Sequence, residues 1–386
     1  MIRVTGTDKK DFHEVLALIN HVFGKENSSY KMEAIFTDLL CENNMEHMRI
    51  IKVDNTPVSV VNYIINEVSI NGRIIKAANI GAVCTHENFR GRGYSRLILR
   101  DCIERMRNEG VDFLYVSGEI ELYTKNNIHI TGKMLNFIIN EEFLAGHAGS
   151  KNSRWDVRVC EPEDMKQLSN IYEAEEVRFI RGLERFSDLM SRVPGAAVFN
   201  HASKTYAVRE GGQIKGYFIC AVIPGDNGNF RMEVIEYAGN RKAVLDGMIK
   251  VMEQEKPEAV SGYAPWFDSN MTKLLEDLKI ETKAANYPGT MRIINFPQFL
   301  HKLAPLEKRD KRFESTEFYE VEDKYVIRSD KGELQIGDDK TMHDLFLGNA
   351  VSFKHKEYLN GEETLNEILR MLLPIPVPYP YNLNYI

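Results

Sequence analysis

Residues Val83 to Ser95 read Val-Cys-Thr-His-Glu-Asn-Phe-Arg-Gly-Arg-Gly-Tyr-Ser, and this stretch narrows the possible folds more than any other. The β-rich run Ile74 to Thr85 ends in a short polar loop, passes through Arg90-Gly91-Arg92-Gly93 and opens a helix at Tyr94. Glycines reach backbone conformations closed to other residues, so several N–H groups can turn towards one anion. The helix start adds unpaired donors and the positive end of the helix dipole. Arg90, Arg92 and Arg96 place positive charge at the same spot. The pattern therefore predicts a pyrophosphate cradle at a strand-to-helix junction of an α/β fold. The helix itself is readable: Leu99, Cys102, Ile103 and Met106 recur at helical spacing, and Gly110 follows as a stop.

Length and composition set outer limits. A chain of 386 residues is long enough for two or three domains, and 43% hydrophobic with 27% charged residues is ordinary for globular protein. No apolar stretch approaches a membrane span, and Met1-Ile-Arg-Val-Thr-Gly6 lacks the layout of a signal peptide, so a cytoplasmic location is expected. The five cysteines, Cys41, Cys84, Cys102, Cys160 and Cys220, are too scattered for a disulfide framework, and no Cys/His spacing points to a metal. A net charge of −7 argues against nucleic acid as a partner and favours cationic substrates.

Three regions follow one another. In the first, taken as residues 1–150, a strand at Ile2 to Thr5 precedes a helix from about Asp8 with Phe12, Val15, Leu16, Ile19 and Val22 on one face. Strands are expected at Met48 to Val53, Val58 to Val68 and Ile74 to Thr85, with Asn71-Gly72 as a hairpin turn, and again at Val111 to Ser117. The second, 151–290, repeats this layout faintly. Asp164-Met165-x-x-Leu168-x-x-Ile171-Tyr172 echoes Asp11-Phe12-x-x-Val15-x-x-Leu18-Ile19, and a hairpin spans Tyr206 to Tyr217. Its strand Phe230 to Tyr237 meets Ala238-Gly239-Asn240-Arg241, which lacks the arginine–glycine loop. The third, 291–386, carries the charged run Glu307 to Arg312, strands from about Glu317 to Gly337, helical pieces around Met342 to Phe346 and Glu362 to Leu373, and a Pro-rich tail from Pro374 that cannot be helical.

A dinucleotide fingerprint needs Gly-x-Gly-x-x-Gly and a P-loop needs a terminal Gly-Lys-Ser/Thr; neither is present. Arg90-x-x-Gly93-x-Ser95 instead resembles the Arg/Gln-x-x-Gly-x-Gly/Ala signature of the GNAT superfamily of N-acetyltransferases, with Ser95 as a small departure. The resemblance implies acetyl-CoA as co-substrate, its pyrophosphate on Arg90, Gly91, Arg92, Gly93, Tyr94, Ser95 and Arg96. The strand edge at Val83, Cys84 and Thr85 would meet the pantetheine arm. The three-part order further resembles the enhanced intracellular survival family, which joins an active GNAT domain, a degenerate GNAT-like domain and a domain with the sterol carrier protein fold. That family is commonly hexameric, which implies a homo-oligomer here.

Acetyl transfer to an amine needs a general acid for the departing thiolate and a base for the amine. Leu122-Tyr123-Thr-Lys-Asn-Asn-Ile128 resembles the GNAT turn whose tyrosine protonates the thiolate, with Asn127 where glycine is usual; Tyr123 matches that tyrosine, although its place at a strand end also suits a half-buried aromatic. For the base, the family resemblance implies the α-carboxylate of Ile386, and a water chain, Glu119 or Glu121 are alternatives. A buried thiol at Cys84 suits packing more than nucleophilic attack, and His86 and His129 read as loop histidines. The expected activity is transfer of an acetyl group to an amine of a cationic small molecule, aminoglycoside-like or a polyamine, with no metal, nucleic acid or membrane. The other readings are a protein lysine acetyltransferase and a non-catalytic protein that senses acetyl-CoA or carries an apolar ligand in its third domain.

Overall fold

Runs of buried side chains set off by turn residues place the strands. The computed structural model of the protein describes residues 2–24, 31–147, 154–304, 315–322, 324–330, 332–348, 369–370 and 372–386. In chain order the strands are β1 (Val4–Gly6), β2 (Met48–Val53), β3 (Thr56–Ile70), β4 (Arg73–Thr85) and β5 (Phe113–Val116). There follow β6 (Lys133–Asn140), β7 (Asp156–Val159), β8 (Val177–Phe179), β9 (Ala202–Glu210), β10 (Gln213–Pro224), β11 (Phe230–Gly239), β12 (Ala259–Pro265) and β13 (Glu281–Asn286). The last are β14 (Thr290–Ile293), β15 (Glu317–Val321), β16 (Lys324–Ser329) and β17 (Gly332–Ile336). The chain forms two compact units, one of residues 1–132, 287–378 and 386, the other of residues 133–286 and 379–385.

The first unit is built on strands in the order β1-β2-β3-β4-β5-β14. Neighbours are antiparallel except β4 and β5, which run parallel. Asn71 and Gly72, both at positive φ (50° and 79°), make the tight turn between β3 and β4. The helix Phe12–Phe23 buries Phe12, Val15, Leu16, Leu18 and Ile19, while Val22 stays half-buried. The helix Tyr94–Asn108 buries Tyr94, Ile98, Leu99, Cys102, Ile103 and Met106 against Val61, Tyr63, Ala78, Ile80 and Leu114 of the sheet. Each such side chain contributes about 1.5–3 kcal/mol by leaving water, so this face fixes where the helix begins and hence where its first turn points.

The second unit holds strands in the order β13-β6-β12-β11-β10-β9-β7, with β11 and β12 parallel. β6 pairs antiparallel with β12 and with β13, whereas β14 pairs with β5. Divisions near residues 150 and 290 therefore do not coincide with the sheets: the chain leaves the first unit at Gly132 and returns at Tyr287. Strand alternation tells which face of a strand is buried and says nothing about which sheet receives it, so this exchange is invisible in the sequence.

Residues beyond β14 belong to the first unit. The helix Phe296–Leu303 and the antiparallel sheet β15-β16-β17 lead to the helix Asp339–Leu347. The charged run Glu307 to Arg312 and most of the expected helix Glu362 to Leu373 lie outside the described residues. The tail is non-helical from Pro374, with Ile375 and Val377 buried and the Tyr115 and Tyr287 hydroxyls donating to the carbonyls of Pro378 (2.8 Å) and Val377 (2.5 Å). In the second unit Leu383 joins the core beside Tyr217 and Ile235.

His343, fully buried in the helix Asp339–Leu347, donates from Nδ1 to the Asp339 carbonyl (2.5 Å) and accepts at Nε2 from the Ile293 amide (2.7 Å). Burial lowers its pKa to about 3 against the opposing bond to Asp339, with His129, Arg292 and Lys340 adding to the drop. The unfolded chain takes up this proton near pH 6.5, well before the folded one, so stability falls as pH drops below that value. We expect a loss of up to about 1.4 kcal/mol per pH unit from this group between about pH 6.5 and 3. Denaturant unfolding of wild type and His343→Gln at about pH 7 and pH 5 checks it: the variant starts less stable and loses less on acidification.

Candidate active site

The parallel ladder between β4 and β5 ends at the pair Ile80–Val116, while β4 runs on to Thr85. Beyond Ile80 one edge of β4 is free of its former partner. At the same point β4 carries a bulge, where Ala82 and Val83 together face Val61 between the pairs Gly81–Asn62 and Cys84–Val60. Ala82 takes a positive φ of 48°, uncommon for a residue with a side chain. The buried Asn62 amide donates to the Ala82 carbonyl (2.9 Å), and its Oδ1 has no partner among the described residues. Val83 and Thr85 are half-buried and Cys84 is buried.

The loop follows. Gly91 and Gly93 both sit at φ 77°, with open space where a Cβ would stand. Gly93 caps the helix Tyr94–Asn108 without any side-chain bond, and the Leu97 amide is the first to find a helical acceptor, the Gly93 carbonyl. Among the described residues the amides of Gly91 to Arg96 thus meet no protein acceptor. Arg90, Arg92 and Arg96 are exposed around them, Arg90 donating from Nε to the Thr85 carbonyl (3.2 Å). Ser95, where the GNAT signature has glycine or alanine, has a use: its hydroxyl shares a hydrogen bond with Thr85 Oγ1 (2.7 Å), which shares another with Ser59 Oγ (2.7 Å). This ties the helix start to the end of β4.

The end of β5 gathers the other groups. Ser117 Oγ donates to a main-chain oxygen of Ile386 (2.7 Å), and Ile386 passes so close to Gly81 that a Cβ there would stand 3.1 Å from its carbonyl carbon. The next residue, Gly118, lies against the Tyr123 ring, with 2.9 Å between a would-be Cβ and Cε2. Tyr123 is 6% exposed, and burial pushes its phenol up to about 12. Its turn closes as expected, Asn127 adopting φ 58° and the Ile128 amide bonding to the Tyr123 carbonyl (3.1 Å). The Cys84 thiol is also pushed up to about 12, by burial against the opposing pull of Arg90, so it stays protonated. Glu119 and Glu121 are exposed, the latter paired with Lys125 (2.7 Å). His86 accepts at Nδ1 from the Asn88 amide, and His129 bridges to Met291. Sequence reasoning missed Asn62, Ser117 and the bulge at Ala82, none of which carries a local signal.

Residues 3–127 match the acetyltransferase (GNAT) domain family. The chain carries a GNAT acetyltransferase domain. Likeness to solved structures extends over the whole chain. A conserved protein of unknown function from Enterococcus faecalis V583, described as a probable N-acyltransferase, is 17% identical at a TM-score of 0.69, over 98% of this chain and 97% of its own. A GCN5-related N-acetyltransferase from Anabaena variabilis is 11% identical at 0.67, over 98% of each chain. Eis1 from Mycobacterium abscessus is 10% identical at 0.65, over 98% and 97%. At these identities the likeness concerns the fold, and it agrees with tandem GNAT folds. No curated protein matches the chain in sequence.

GNAT enzymes use acetyl-CoA, and the residues of this domain fit its pyrophosphate: unpaired amides at a helix start, two glycines with room about them, and three arginines. The matching junction of the second unit does not. There the Asn240 side chain caps the helix Arg241–Glu255 at the Ala243 amide (2.9 Å), the Gly239 amide donates to Glu175 (2.8 Å), and Arg241 pairs with Glu175 and Asp268. No helix among the described residues is long and apolar enough to cross a membrane.

Gly93→Val meets no clash but must hold a β-branched residue at φ 77°. That strain, about 1–2 kcal/mol, should weaken acetyl-CoA binding about 5- to 30-fold. Calorimetric titration checks this, with Gly72→Val, equally strained in the distant hairpin, leaving the affinity unchanged.

Proposed function

We propose that the protein is an acetyl-CoA-dependent N-acetyltransferase that acetylates an amine of a cationic small molecule, aminoglycoside-like or a polyamine. The observation that supports this most is that, where β4 has parted from β5, Ser117 holds Ile386 and the next residue, Gly118, packs on the Tyr123 ring. Acetyl-CoA, when bound, supplies the thioester whose acetyl group is transferred. The amides of Gly91 to Arg96 and the side chains of Arg90, Arg92 and Arg96 bind its pyrophosphate, and the free edge at Val83 to Thr85 orients the arm that follows. Tyr123 Oη holds the proton for the departing sulfur. The α-carboxylate of Ile386, fixed by Ser117 Oγ, takes the proton of the attacking amine. Attack is direct, since the Cys84 thiol keeps its proton and cannot serve as a relay.

The same reading takes the chain's organisation to be that of the enhanced intracellular survival family. Likeness to Eis1 over 98% of the chain supports it, and so does the small antiparallel sheet β15-β16-β17 with its two helices, which suits a sterol carrier protein-like region. The net charge of −7 suits a cationic acceptor.

Release of coenzyme A, followed across aminoglycosides, polyamines and lysine-rich peptides, identifies the acceptor class. Tyr123→Phe should lower kcat by about 10²- to 10⁴-fold while acetyl-CoA affinity stays unchanged. Acetyl-CoA binding without turnover on any amine would sink the catalytic reading.

The carboxylate has its own test. A short C-terminal extension moves the charge away from Ser117 while keeping every side chain. It should lower kcat by about 10²-fold or more and leave acetyl-CoA binding intact. Full activity of the extended chain, or of a chain lacking Leu383 to Ile386, rules the Ile386 base out.

A further inference from the structure

His21, His86 and Glu87 take no part in the chemistry above, yet they stand together. His21 lies in the last turn of the helix Phe12–Phe23, and His86 and Glu87 form the turn just ahead of the arginine–glycine loop. Each offers one ligand atom, and the three atoms lie within 4.8 Å of one another. Glu87 Oε2 is 3.1 Å from His21 Nε2 and 3.7 Å from His86 Nδ1, and the two imidazoles stack at 5.4 Å with planes 16° apart. Zinc bonds nitrogen and oxygen at about 2.0–2.2 Å, which sets tetrahedral ligands roughly 3.3–3.6 Å from each other. The two distances to Glu87 bracket that spacing. They come from two segments far apart in sequence, so no motif announces them.

The donors are also chemically ready. His86 Nδ1 carries its lone pair as an acceptor, taking a long 3.3 Å bond from the Asn88 amide that an ion would displace. Among the described residues no guanidinium pairs with Glu87: Arg90 donates to the Thr85 carbonyl, and Arg92 donates to the Asn88 carbonyl and lies over the Phe89 ring. Two imidazoles and one carboxylate suit a transition metal rather than calcium or magnesium, which prefer all-oxygen sets. We propose that His21, His86 and Glu87 form a three-ligand surface site for a divalent transition metal of the zinc class, with water completing the coordination. The ion would join the last turn of the first helix to the turn leading into the phosphate loop.

Cobalt(II) titration of the full-length protein, watched by its visible absorption, tests the site. One cobalt should bind per chain, with nitrogen and oxygen ligation and no thiolate charge-transfer band, and zinc should displace it. His21→Ala, His86→Ala and Glu87→Gln should each weaken binding at least about tenfold. Zinc should raise the melting temperature of the wild type and not of these variants, whose metal-free melting temperatures report that they remain folded. Absence of stoichiometric binding, or binding of equal strength in His21→Ala and His86→Ala, overturns the proposal.

Discussion

Everything in the catalytic unit depends on where β4 and β5 part. Up to Ile80 and Val116 the two strands satisfy each other's backbone groups; past that pair β4 continues with one edge unmatched. An unmatched strand edge inside a protein is costly unless something pairs with it, and at Gly81 the Ile386 main chain comes against this edge. The bulge at Ala82 turns the strand at this point, and the Asn62 amide fixes the bulge from the facing strand. The loop and helix then begin at a set distance from the gap, because the buried face of Tyr94–Asn108 leaves the helix no freedom to slide. Strand edge, cradle, Ser117 and Tyr123 are therefore consequences of one interrupted ladder.

The two units show what such a junction needs to bind an anion. Both pass from a long strand into a 15-residue helix, Tyr94–Asn108 in one and Arg241–Glu255 in the other. In the first, glycine caps the helix, side chains leave its amides alone, and the arginines are exposed. In the second, Asn240 and Glu175 consume the donors, and Arg241 is drawn into Glu175 and Asp268 at 18% side-chain exposure. The same backbone arrangement is thus open in one case and self-satisfied in the other. Adding an arginine to the second junction would not make it a cofactor site, since its acceptors are already protein groups.

Much of this was legible in the sequence where a local rule governs. Asn71-Gly72 dictates a hairpin, apolar and β-branched runs dictate β2 to β4, the apolar spacing dictates Tyr94–Asn108, and Asn127 tolerates the left-handed conformation its turn demands. What was not legible is non-local. The crossing of β6 and β14 between sheets depends on which edges are vacant, and the positive φ of Ala82 has no residue signature. Ser117 reads as the end of a strand until Ile386 is placed beside it, 269 residues on. The trio of His21, His86 and Glu87 belongs to the same class, as does Arg181, fully buried and bidentate to Glu236 while its Nε holds Asn384. Burying that pair costs several kcal/mol per ion, which the bidentate contact and the bonds to Asn384 and Tyr217 must offset.

Burial bears differently on the two groups proposed near the gap. It raises the Cys84 thiol and the Tyr123 phenol alike, each to about 12. For a nucleophile this is fatal, because the reactive form is the thiolate and almost none exists near neutral pH. For the proton donor proposed at Tyr123 it keeps the phenol protonated near neutral pH. In water a phenol is a weaker acid than a thiol, and giving up its proton to a thiolate runs uphill. Burial thus keeps both the Cys84 thiol and the Tyr123 phenol protonated near neutral pH.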